Sequence, residues 1–376
     1  MNKTKRFIAA AAVAAIAGLH AIAGNDLTMI VGTYTDQSTS DGMYVYRFDQ
    51  QHGKLRAVDS VKAGNPSFLA VAGTHVYAVS EYDDGRQGIG AYSLDRSSGS
   101  LRLIGSQRCG TLATRQGNKM PGAAPCNVMV YGGHVVTSNY NGGDISVFPI
   151  AADGSLGSES QYFDMYRDGM GDVSHIHCCH MSPDRRHMFA ADLGNDCIWR
   201  FDVGSGEAFL SSPAVAYSAP KGTGPRHFVF NGRGNVAYLL GELDGSVTVL
   251  GCSGGSLREL QRLQASQTRT AGSADIHLSP DGKFLYASHR LKDEGVSVFA
   301  VDASSGLLTK VGFQPTAAHP RNFAITPNGK YLLVACRDGN VIEVYRRDAR
   351  TGLLTNTGRD IRLGKPVCIQ FVGHEH

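Results

Sequence analysis

Charged and imidazole side chains recur where short apolar segments of this 376-residue chain begin or end. The residues that matter most are His177, Arg226, Glu242, Arg290 and Arg321. Carboxylate and imidazole groups can exchange protons with water, and guanidinium groups can hold an anion or a developing negative charge. The sequence contains no phosphate-binding loop and no dinucleotide fingerprint, so nucleotide chemistry has no support. These side chains instead favour acid–base chemistry on a small molecule.

A segment rich in histidine and cysteine, Ser174 to His180, offers a second chemistry. His175, His177 and Cys179 alternate along a predicted strand and therefore share one of its faces. A catalytic metal would need three ligands and an open position, and a third ligand cannot be located from the sequence. A satisfied structural histidine is the alternative for His175. For His177 we favour a role in catalysis or substrate binding, and we expect no metal or other cofactor.

Seven copies of one pattern organise the chain: a strand-like run, a turn that ends in Gly-x-Leu, and a second strand-like run. One copy is degenerate, and the first glycines lie 46 to 55 residues apart at Gly53, Gly99, Gly154, Gly206, Gly255, Gly306 and Gly352. This period is typical of a four-stranded propeller blade. Alternating β-branched and aromatic residues indicate strands, and no segment has helical periodicity. The sequence therefore predicts an all-β, seven-bladed β-propeller that forms one domain over residues 24–376.

Two positions in each predicted blade should direct side chains toward the propeller axis. At the innermost strand, the aligned residues are Ser67, Cys126, His177, Arg226, Ala274, Arg321 and Val367. At the end of the next strand, they are Glu81, Asn139, Asp192, Glu242, Arg290 and Arg337, and Thr33 near the N-terminus supplies the seventh. This alignment predicts a closing blade built from both chain ends, with residues 367–371 beside residues 28–34. Such closure removes an exposed sheet edge.

Most of the polar residues in these two sets should line a central funnel. We interpret His177, Arg226, Glu242 and Arg290 as the catalytic residues. The predicted substrate-binding residues are His175, His227, Arg321, Arg337, Glu81 and Asp192. A water-filled funnel of mixed charge suits an anionic or polyhydroxy small molecule. The alternative is an internal lattice of salt bridges that holds the blades together.

Residues 1–23 predict a secretory signal peptide that precedes the propeller. Lys3, Lys5 and Arg6 stand before an Ala/Ile-rich run, which ends in an A-x-A cleavage pattern at Ala23. Its removal takes three positive charges and no negative ones from a formal net charge of +3, which leaves zero. We expect an exported protein, periplasmic or extracellular, with no nucleic-acid partner and no membrane insertion after signal removal. Its eight cysteines could be buried thiols or could include a disulfide.

Segments in order along the whole mature chain resemble the seven-bladed lactonase propellers, a family that includes bacterial 6-phosphogluconolactonase and fungal carboxymuconate-lactonizing enzyme. The resemblance rests on segments such as "HIH" from His175, "GPRHFVF" from Gly224, "GELDGSVTVL" from Gly241 and "DIHLSPDGKFLYASHR" from Asp275. It implies a metal-independent enzyme whose active set corresponds to His177 (or His175), Arg226, Glu242 and Arg290. The chain departs from the family pattern at Asn127, where relatives often have His, and at Gly241, where they often have Asn.

The resemblance implies hydrolysis of a small-molecule sugar lactone or a related anionic substrate. Water would attack the ring carbonyl while Glu242 or His177 accepts its proton, and Arg226 or Arg290 would hold the developing anion. Export favours a lactone without phosphate, because phosphorylated sugar lactones are cytoplasmic metabolites. Two alternatives stay open: a cycloisomerase that acts on an unsaturated dicarboxylate, and a propeller that serves only as a binding scaffold.

Overall fold

A computed structural model of the chain describes residues 26–114, 119–165, 173–204, 208–268 and 272–373. Throughout these ranges the chain forms 29 β-strands joined by turns and loops, and the described residues contain no helix. The strands form seven sheets, which confirms the predicted seven-bladed β-propeller. The predicted signal peptide, residues 1–23, lies outside the described residues. No helix in the described ranges is long and apolar enough to cross a membrane.

Each blade is a sheet whose strands follow one another from the axis outward. The closing blade contains β29 (Pro366–Phe371), β1 (Asp26–Thr33), β2 (Gly42–Asp49) and β3 (Lys54–Lys62). Blade 1 contains β4 (Leu69–Ala72), β5 (His75–Ser80), β6 (Gly88–Leu94) and β7 (Leu101–Arg108). Blade 2 contains β8 (Pro125–Tyr131), β9 (His134–Asn139), β10 (Asp144–Pro149) and β11 (Gln161–Asp164). Blade 3 contains β12 (Ile176–Met181), β13 (His187–Asp192), β14 (Cys197–Asp202) and β15 (Ala214–Ser218).

The remaining three blades follow the same order. Blade 4 contains β16 (Pro225–Phe230), β17 (Val236–Gly241), β18 (Ser246–Ser253) and β19 (Ser256–Gln264). Blade 5 contains β20 (Ser273–Leu278), β21 (Phe284–His289), β22 (Gly295–Val301) and β23 (Leu308–Pro315). Blade 6 contains β24 (Pro320–Ile325), β25 (Tyr331–Cys336), β26 (Val341–Arg347) and β27 (Leu354–Asn356), and the short β28 (Ile361–Arg362) also pairs with β26.

Both chain ends build the closing blade, as the sequence predicts. Strand β29 pairs antiparallel with β1, and Met29 lies opposite Phe371. Each innermost strand contacts the innermost strands of both neighbouring blades, so the seven sheets form a closed ring. Closure gives the innermost strand of every blade a neighbouring blade on both sides, so the strand edges at the axis are short and protected.

The hydrophobic core is divided into seven clusters, one between each pair of adjacent blades. In one of them, Val136 and Ile145 of blade 2 pack against Ile176 and Trp199 of blade 3. Each sheet therefore buries one face against the blade before it and the other against the blade after it. This arrangement accounts for the length of the propeller, because every added blade adds core together with chain length.

The repeated Gly-x-Leu turns also join neighbouring blades through polar contacts. Gly306 has a φ of +75°, a left-handed conformation that glycine adopts with little strain. Its carbonyl accepts a hydrogen bond of 2.9 Å from the buried Tyr238 hydroxyl of the preceding blade. The Tyr286 hydroxyl makes the same contact with the carbonyl of Gly352, at 2.8 Å. The turn motif therefore fixes the spacing between successive sheets as well as the direction of the chain.

A β-bulge lies at or near the start of most of the innermost strands and directs a side chain to the axis. In β12, for example, the register shifts between Ile176 and Cys178, so His177 has no partner of its own in β13. A bulge bends the strand and turns the extra side chain away from the regular pleat. Similar register shifts place the aligned residues Cys126, Arg226, Ala274, Arg321 and Val367 outside the regular pairing.

Candidate active site

The bulged residues meet on the propeller axis and nearly fill it. They enclose a cavity of only about 10 Å³, which is lined by Ser67, Phe68, Cys126, His177, Arg226, His227, Arg321, Asn322 and Val367. A space of about 10–15 Å³ is the minimum that holds one water molecule. The predicted water-filled funnel is therefore blocked at this level by side chains. Glu242 and Arg290 lie next to this layer, at one end of the axis, which we call the mouth.

Glu242 connects two arginines from neighbouring blades at the mouth. Its Oε2 accepts a hydrogen bond of 2.7 Å from Nε of Arg226, and its Oε1 lies 3.0 Å from Nη2 of Arg290. The guanidinium of Arg290 is held in turn by the carbonyl of Gly272, which accepts from Nε at 2.8 Å. Arg226 also donates from Nη1 to the carbonyl of Ala274. Three of the four predicted catalytic residues therefore form one hydrogen-bonded group.

The arginines keep the Glu242 carboxylate ionised. Burial alone would raise the pKa of Glu242, but the positive charges of Arg226, Arg290 and Arg321 outweigh burial and hold the pKa below its usual range. The side chain of Glu242 is 19% exposed, whereas that of Arg226 is 2% exposed. Glu242 is therefore more open to solvent at the mouth than Arg226, which contacts it from the buried side.

A second pair of oppositely charged residues, Arg321 and Glu81, lies beside this group at the mouth. Nη2 of Arg321 lies 3.9 Å from Oε2 of Glu81, and the same oxygen accepts a hydrogen bond of 2.9 Å from the Tyr34 hydroxyl. The guanidinium carbon of Arg321 lies 5.4 Å from the centre of the Tyr34 ring, a distance that allows a cation–π contact. The predicted substrate-binding residues Arg321 and Glu81 are therefore brought to the mouth together.

His177 lies in the layer of side chains that fills the axis. Nδ1 of its imidazole lies 3.7 Å from the Sγ atom of Cys126, and its ring packs edge-on against Tyr140 and His227 with ring centres 5.4 and 5.2 Å away. Burial and the charge of Arg226 lower the pKa of His177 well below its usual value. His177 is therefore neutral at neutral pH, and only 5% of it is exposed.

His175 lies closer to the surface than His177. Its ring packs against Tyr140 with ring centres 4.5 Å apart, and its Nδ1 lies 2.8 Å from the Tyr140 carbonyl oxygen. The described residues contain no cluster of three or more His, Cys, Asp or Glu side chains arranged to hold a metal ion. All eight cysteines lie in the described ranges, and each is a free thiol.

His227 belongs mainly to a polar lattice between the innermost strands. Its Nδ1 lies 2.8 Å from Oδ1 of Asp275, whose Oδ2 accepts hydrogen bonds from Asn322 at 2.6 Å and from the Phe323 backbone at 3.2 Å. Asn322 in turn accepts from the Ile369 backbone at 2.8 Å. Blades 4, 5, 6 and the closing blade are joined in this way. The polar contacts of Asp275 and Asn322 thus form a structural lattice between blades, as the alternative interpretation of the sequence predicted. This lattice lies one layer away from the Glu242 group.

The prediction that Asp192 faces the funnel is wrong. Asp192 is fully buried, and its carboxylate accepts hydrogen bonds from the His175 and Asn195 backbones, at 3.0 and 3.1 Å, and from Trp199 Nε1 at 3.0 Å. A carboxylate at the end of a strand can satisfy its oxygens with backbone amides of the adjoining turns, and Asp192 does so.

Arg337 and Thr33 also differ from the predicted arrangement. Arg337 lies to one side of the axis, where its Nε and Nη2 donate to both oxygens of Asp338, at 2.7 and 2.9 Å. Thr33 is buried, and its hydroxyl contacts Ser40 and the Gly42 carbonyl. The residue that reaches the mouth from this segment is the next one, Tyr34.

Tyr34 and Tyr140 are the mouth residues that sequence reasoning missed. Both follow directly after a member of the second aligned set, as Tyr82 does after Glu81. This recurrence of tyrosine in three segments was a usable signal. Burial is the main reason that the pKa of Tyr140 is raised, with a further contribution from Glu242, so Tyr140 faces the charged group as a neutral phenol.

Residues 28–371 match the protein family described as lactonase, 7-bladed beta-propeller. A protein named 6-phosphogluconolactonase from Formosa agariphila is 34% identical over 366 residues, which cover 93% of this chain and all of that protein. A solved structure from Bacteroides fragilis is 41% identical with a TM-score of 0.87, and the match covers 94% of this chain and 100% of the other. The structure of a periplasmic gluconolactonase from Pseudomonas aeruginosa is 30% identical with a TM-score of 0.83, over 93% and 99% of the two chains.

These matches define the class of the protein. The chain belongs to the seven-bladed β-propeller lactonase family, which confirms the resemblance seen in its sequence. It is an enzyme, a lactone hydrolase.

Proposed function

We propose that this enzyme hydrolyses a sugar δ-lactone at the mouth, with Glu242, Arg290 and Arg321 in contact with the substrate. The observation that carries the proposal is the position of the Glu242 carboxylate between the guanidinium groups of Arg226 and Arg290, at 2.7 and 3.0 Å. This group combines a carboxylate that stays ionised at neutral pH with two guanidinium groups that are held in place. Hydrolysis of a lactone needs both, because water must lose a proton while negative charge develops on the carbonyl oxygen.

Glu242 is the proposed base. It is more exposed to the mouth than His177, at 19% against 5%, and its lowered pKa keeps it deprotonated at neutral pH. Glu242 takes a proton from water as the water oxygen bonds to the lactone carbonyl carbon. The ring C–O bond then breaks, the ring oxygen receives that proton, and the product is an open-chain hydroxy acid. His177 is the second candidate for this role, because its neutral imidazole can also accept a proton.

Arg290 and Arg321 are the proposed anion-binding residues. Burial and the neighbouring Arg226 lower the pKa of Arg290 to about 9, so the guanidinium remains charged at neutral pH. A buried cation interacts strongly with the oxyanion and then with the product carboxylate, because little water competes for it. Arg226 is a positioning residue in this scheme, since its guanidinium donates to Glu242 and to the Ala274 backbone below the mouth.

The charge at the mouth favours a substrate without phosphate. Three guanidinium groups, from Arg226, Arg290 and Arg321, face two carboxylates, from Glu81 and Glu242, which leaves a net charge of about +1 in this group. One positive charge matches the single carboxylate that lactone opening creates. A phosphate dianion would call for further cations in the same group.

Export supports the same choice of substrate. We propose that residues 1–23 are removed as a signal peptide and that residues 24–376 act outside the cytoplasm. The support is the basic, Ala-rich leader and the similarity to a solved structure described as a periplasmic gluconolactonase. Edman sequencing of the mature protein from a cell envelope fraction should begin at Gly24, and an intact Met1 would overturn this part of the proposal.

A pH-stat assay of the purified protein tests the activity. Glucono-δ-lactone, its 6-phosphate and carboxymuconolactone are supplied separately, each with and without a chelator. We expect acid release from glucono-δ-lactone above the spontaneous rate, less efficient turnover of the phosphate, and no effect of the chelator. Turnover of the muconolactone alone would favour the cycloisomerase alternative, and turnover of none of the three would refute the proposed function.

A further inference from the structure

A second cavity lies beside the axial group. It has a volume of about 250 Å³ and is lined by Tyr34, Asp36, Asn65, Arg337, Asp338 and Lys365. Its residues come from the loop after β1, the loop before β4, the loop after β25 and the loop before β29. Tyr34 also contacts Glu81 and Arg321 at the mouth, and none of the six residues has a role in the proposed hydrolysis. The volume is just below the range of about 300–1,000 Å³ that is typical of small-molecule sites.

The lining of this lateral cavity is polar and balanced in charge. Arg337 and Lys365 supply two cations, and Asp36 and Asp338 supply two carboxylates. Each cation already has an oxygen partner, because Arg337 donates to Asp338 at 2.7 and 2.9 Å and Lys365 donates to the Asp36 carbonyl at 2.9 Å. An anion would meet no net positive charge here. A sugar hydroxyl, which both donates and accepts, fits such a mixture of groups.

The cavity wall is held in place by a buried side chain. Asn65 is 6% exposed, and its Oδ1 accepts hydrogen bonds from the backbones of Thr35 and Asp36, at 2.8 and 3.2 Å. Its Nδ2 donates to Oδ2 of Asp36 at 3.2 Å and to the Glu81 carbonyl at 3.3 Å. The loop that carries Asp36 is therefore fixed relative to the mouth before any ligand binds, which lowers the entropy lost on binding.

Tyr34 connects the lateral cavity with the axial group. The same phenol that lines the cavity donates its hydroxyl to Glu81 and lies beneath the Arg321 guanidinium. A molecule that fills both spaces would pass over this ring. Aromatic rings commonly present such an apolar face together with a polar tip.

From this connection we infer that the lateral cavity is a glycosyl subsite, and that the preferred substrate is an aldonolactone with a second sugar ring attached. The inference rests on the proposed function and names its substrate class. The lactone ring binds at the mouth against Glu242 and Arg290, and the neutral second ring binds among Asp36, Asn65, Arg337 and Lys365. The balanced charge of the cavity argues against a phosphate in the same position.

Steady-state kinetics with matched lactones test the subsite. Glucono-δ-lactone is compared with cellobiono-δ-lactone and maltobiono-δ-lactone, which add a neutral glucosyl group in β and α linkage. We expect kcat/KM for at least one of the disaccharide lactones to exceed that for glucono-δ-lactone by about tenfold, a gain typical of one or two added hydrogen bonds. Equal or lower values for both disaccharide lactones would overturn the inference, whereas failure to hydrolyse any lactone would refute the proposed function instead.

Asp36→Ala and Asp41→Ala provide a matched pair of variants. Both residues are exposed carboxylates in the same loop, but only Asp36 lines the cavity. We expect Asp36→Ala to reduce the preference for the disaccharide lactone, measured as the ratio of the two kcat/KM values, by about tenfold. Asp41→Ala should leave this ratio within twofold, and thermal unfolding should show that both variants are folded. An unchanged ratio in a folded Asp36→Ala variant would contradict the subsite.

Discussion

Arg226 donates a hydrogen bond of 2.7 Å from Nε to Oε2 of Glu242, although the two residues lie in different parts of blade 4. Arg226 occupies the bulge of the innermost strand, and Glu242 follows directly after the second strand. The bulge turns the guanidinium toward the axis, where it meets the carboxylate from below. The contact therefore depends on a local irregularity of the sheet, and it sets the orientation of the one carboxylate that also reaches Arg290.

Glu242→Gln should abolish most of the activity while the protein stays folded. The amide keeps the shape of the side chain but cannot take a proton from water, so we expect kcat/KM to fall by about 10²–10³-fold. The pH-stat assay measures the rate, and circular dichroism checks the fold. Glu259→Gln on the exposed strand β19 is the matched control and should retain the parent rate. A larger loss in His177→Gln than in Glu242→Gln would assign the base to His177.

Arg226→Lys should lower kcat more than it changes KM. Lysine keeps the positive charge but cannot donate from Nε in the fixed planar geometry of arginine, so Glu242 would lose its orientation. We expect kcat to fall by about tenfold for Arg226→Lys and by about 10²-fold for Arg226→Ala, with KM within threefold in both. A large increase in KM at constant kcat would show that Arg226 binds substrate directly and is not a positioning residue.

Asp275→Ala should destabilise the propeller strongly. The variant would leave His227 and Asn322 without the carboxylate that joins them across two blade interfaces, and it would also leave the Phe323 backbone amide unpaired. Loss of one partner from such a buried group typically costs about 3–5 kcal/mol in the free energy of unfolding. Urea unfolding measures the change. A loss below about 1 kcal/mol would mean that the lattice contributes little to holding the blades together.

Stability should fall as the pH decreases from about 6.5 toward 4. Burial lowers the pKa of His177 well below its usual value, that of His227 to about 4 and that of His289 to about 3. In this window the unfolded chain binds protons that the folded chain excludes, and each such histidine removes up to about 1.4 kcal/mol per pH unit. Asp144 offsets the effect of one of these histidines. Burial raises the pKa of Asp144 to about 6, so below that pH the folded chain binds a proton that the unfolded chain does not. Urea unfolding at pH 7, 6 and 5 should show this decline, and a flat or rising profile would contradict it.

The sequence contained enough information to predict the fold and the innermost layer of the site. The seven copies of the Gly-x-Leu turn predicted the number of blades, and the alignment of innermost strands identified six of the nine residues that line the axial cavity. That alignment succeeded because six of the seven blades have a register shift at or near this position. The departure of the chain at Asn127 is also explained, since its Oδ1 accepts the Cys179 backbone amide at 3.3 Å and joins blades 2 and 3.

The second aligned set was less predictable because its residues stand at strand ends, where a side chain can turn either to the axis or back to its own turn. Glu242 has guanidinium partners in its own blade and in the next one, whereas Asp192 accepts from backbone amides nearby and turns away from the axis. The "DLGN" segment after Asp192 could have indicated this, since Asn195 also donates to its carboxylate at 2.7 Å. The lateral cavity could not be predicted, because its lining comes from four loops that are far apart in the sequence.

A crystal structure of the protein with bound gluconate, the product of glucono-δ-lactone hydrolysis, would show directly whether the mouth is the active site. The gluconate carboxylate should bind there within hydrogen-bonding distance of Arg290 or Arg321, with Glu242 beside it and Arg226 still bonded to Glu242. Gluconate bound elsewhere on the propeller, with these four side chains out of its reach, would mean that hydrolysis does not take place at the mouth.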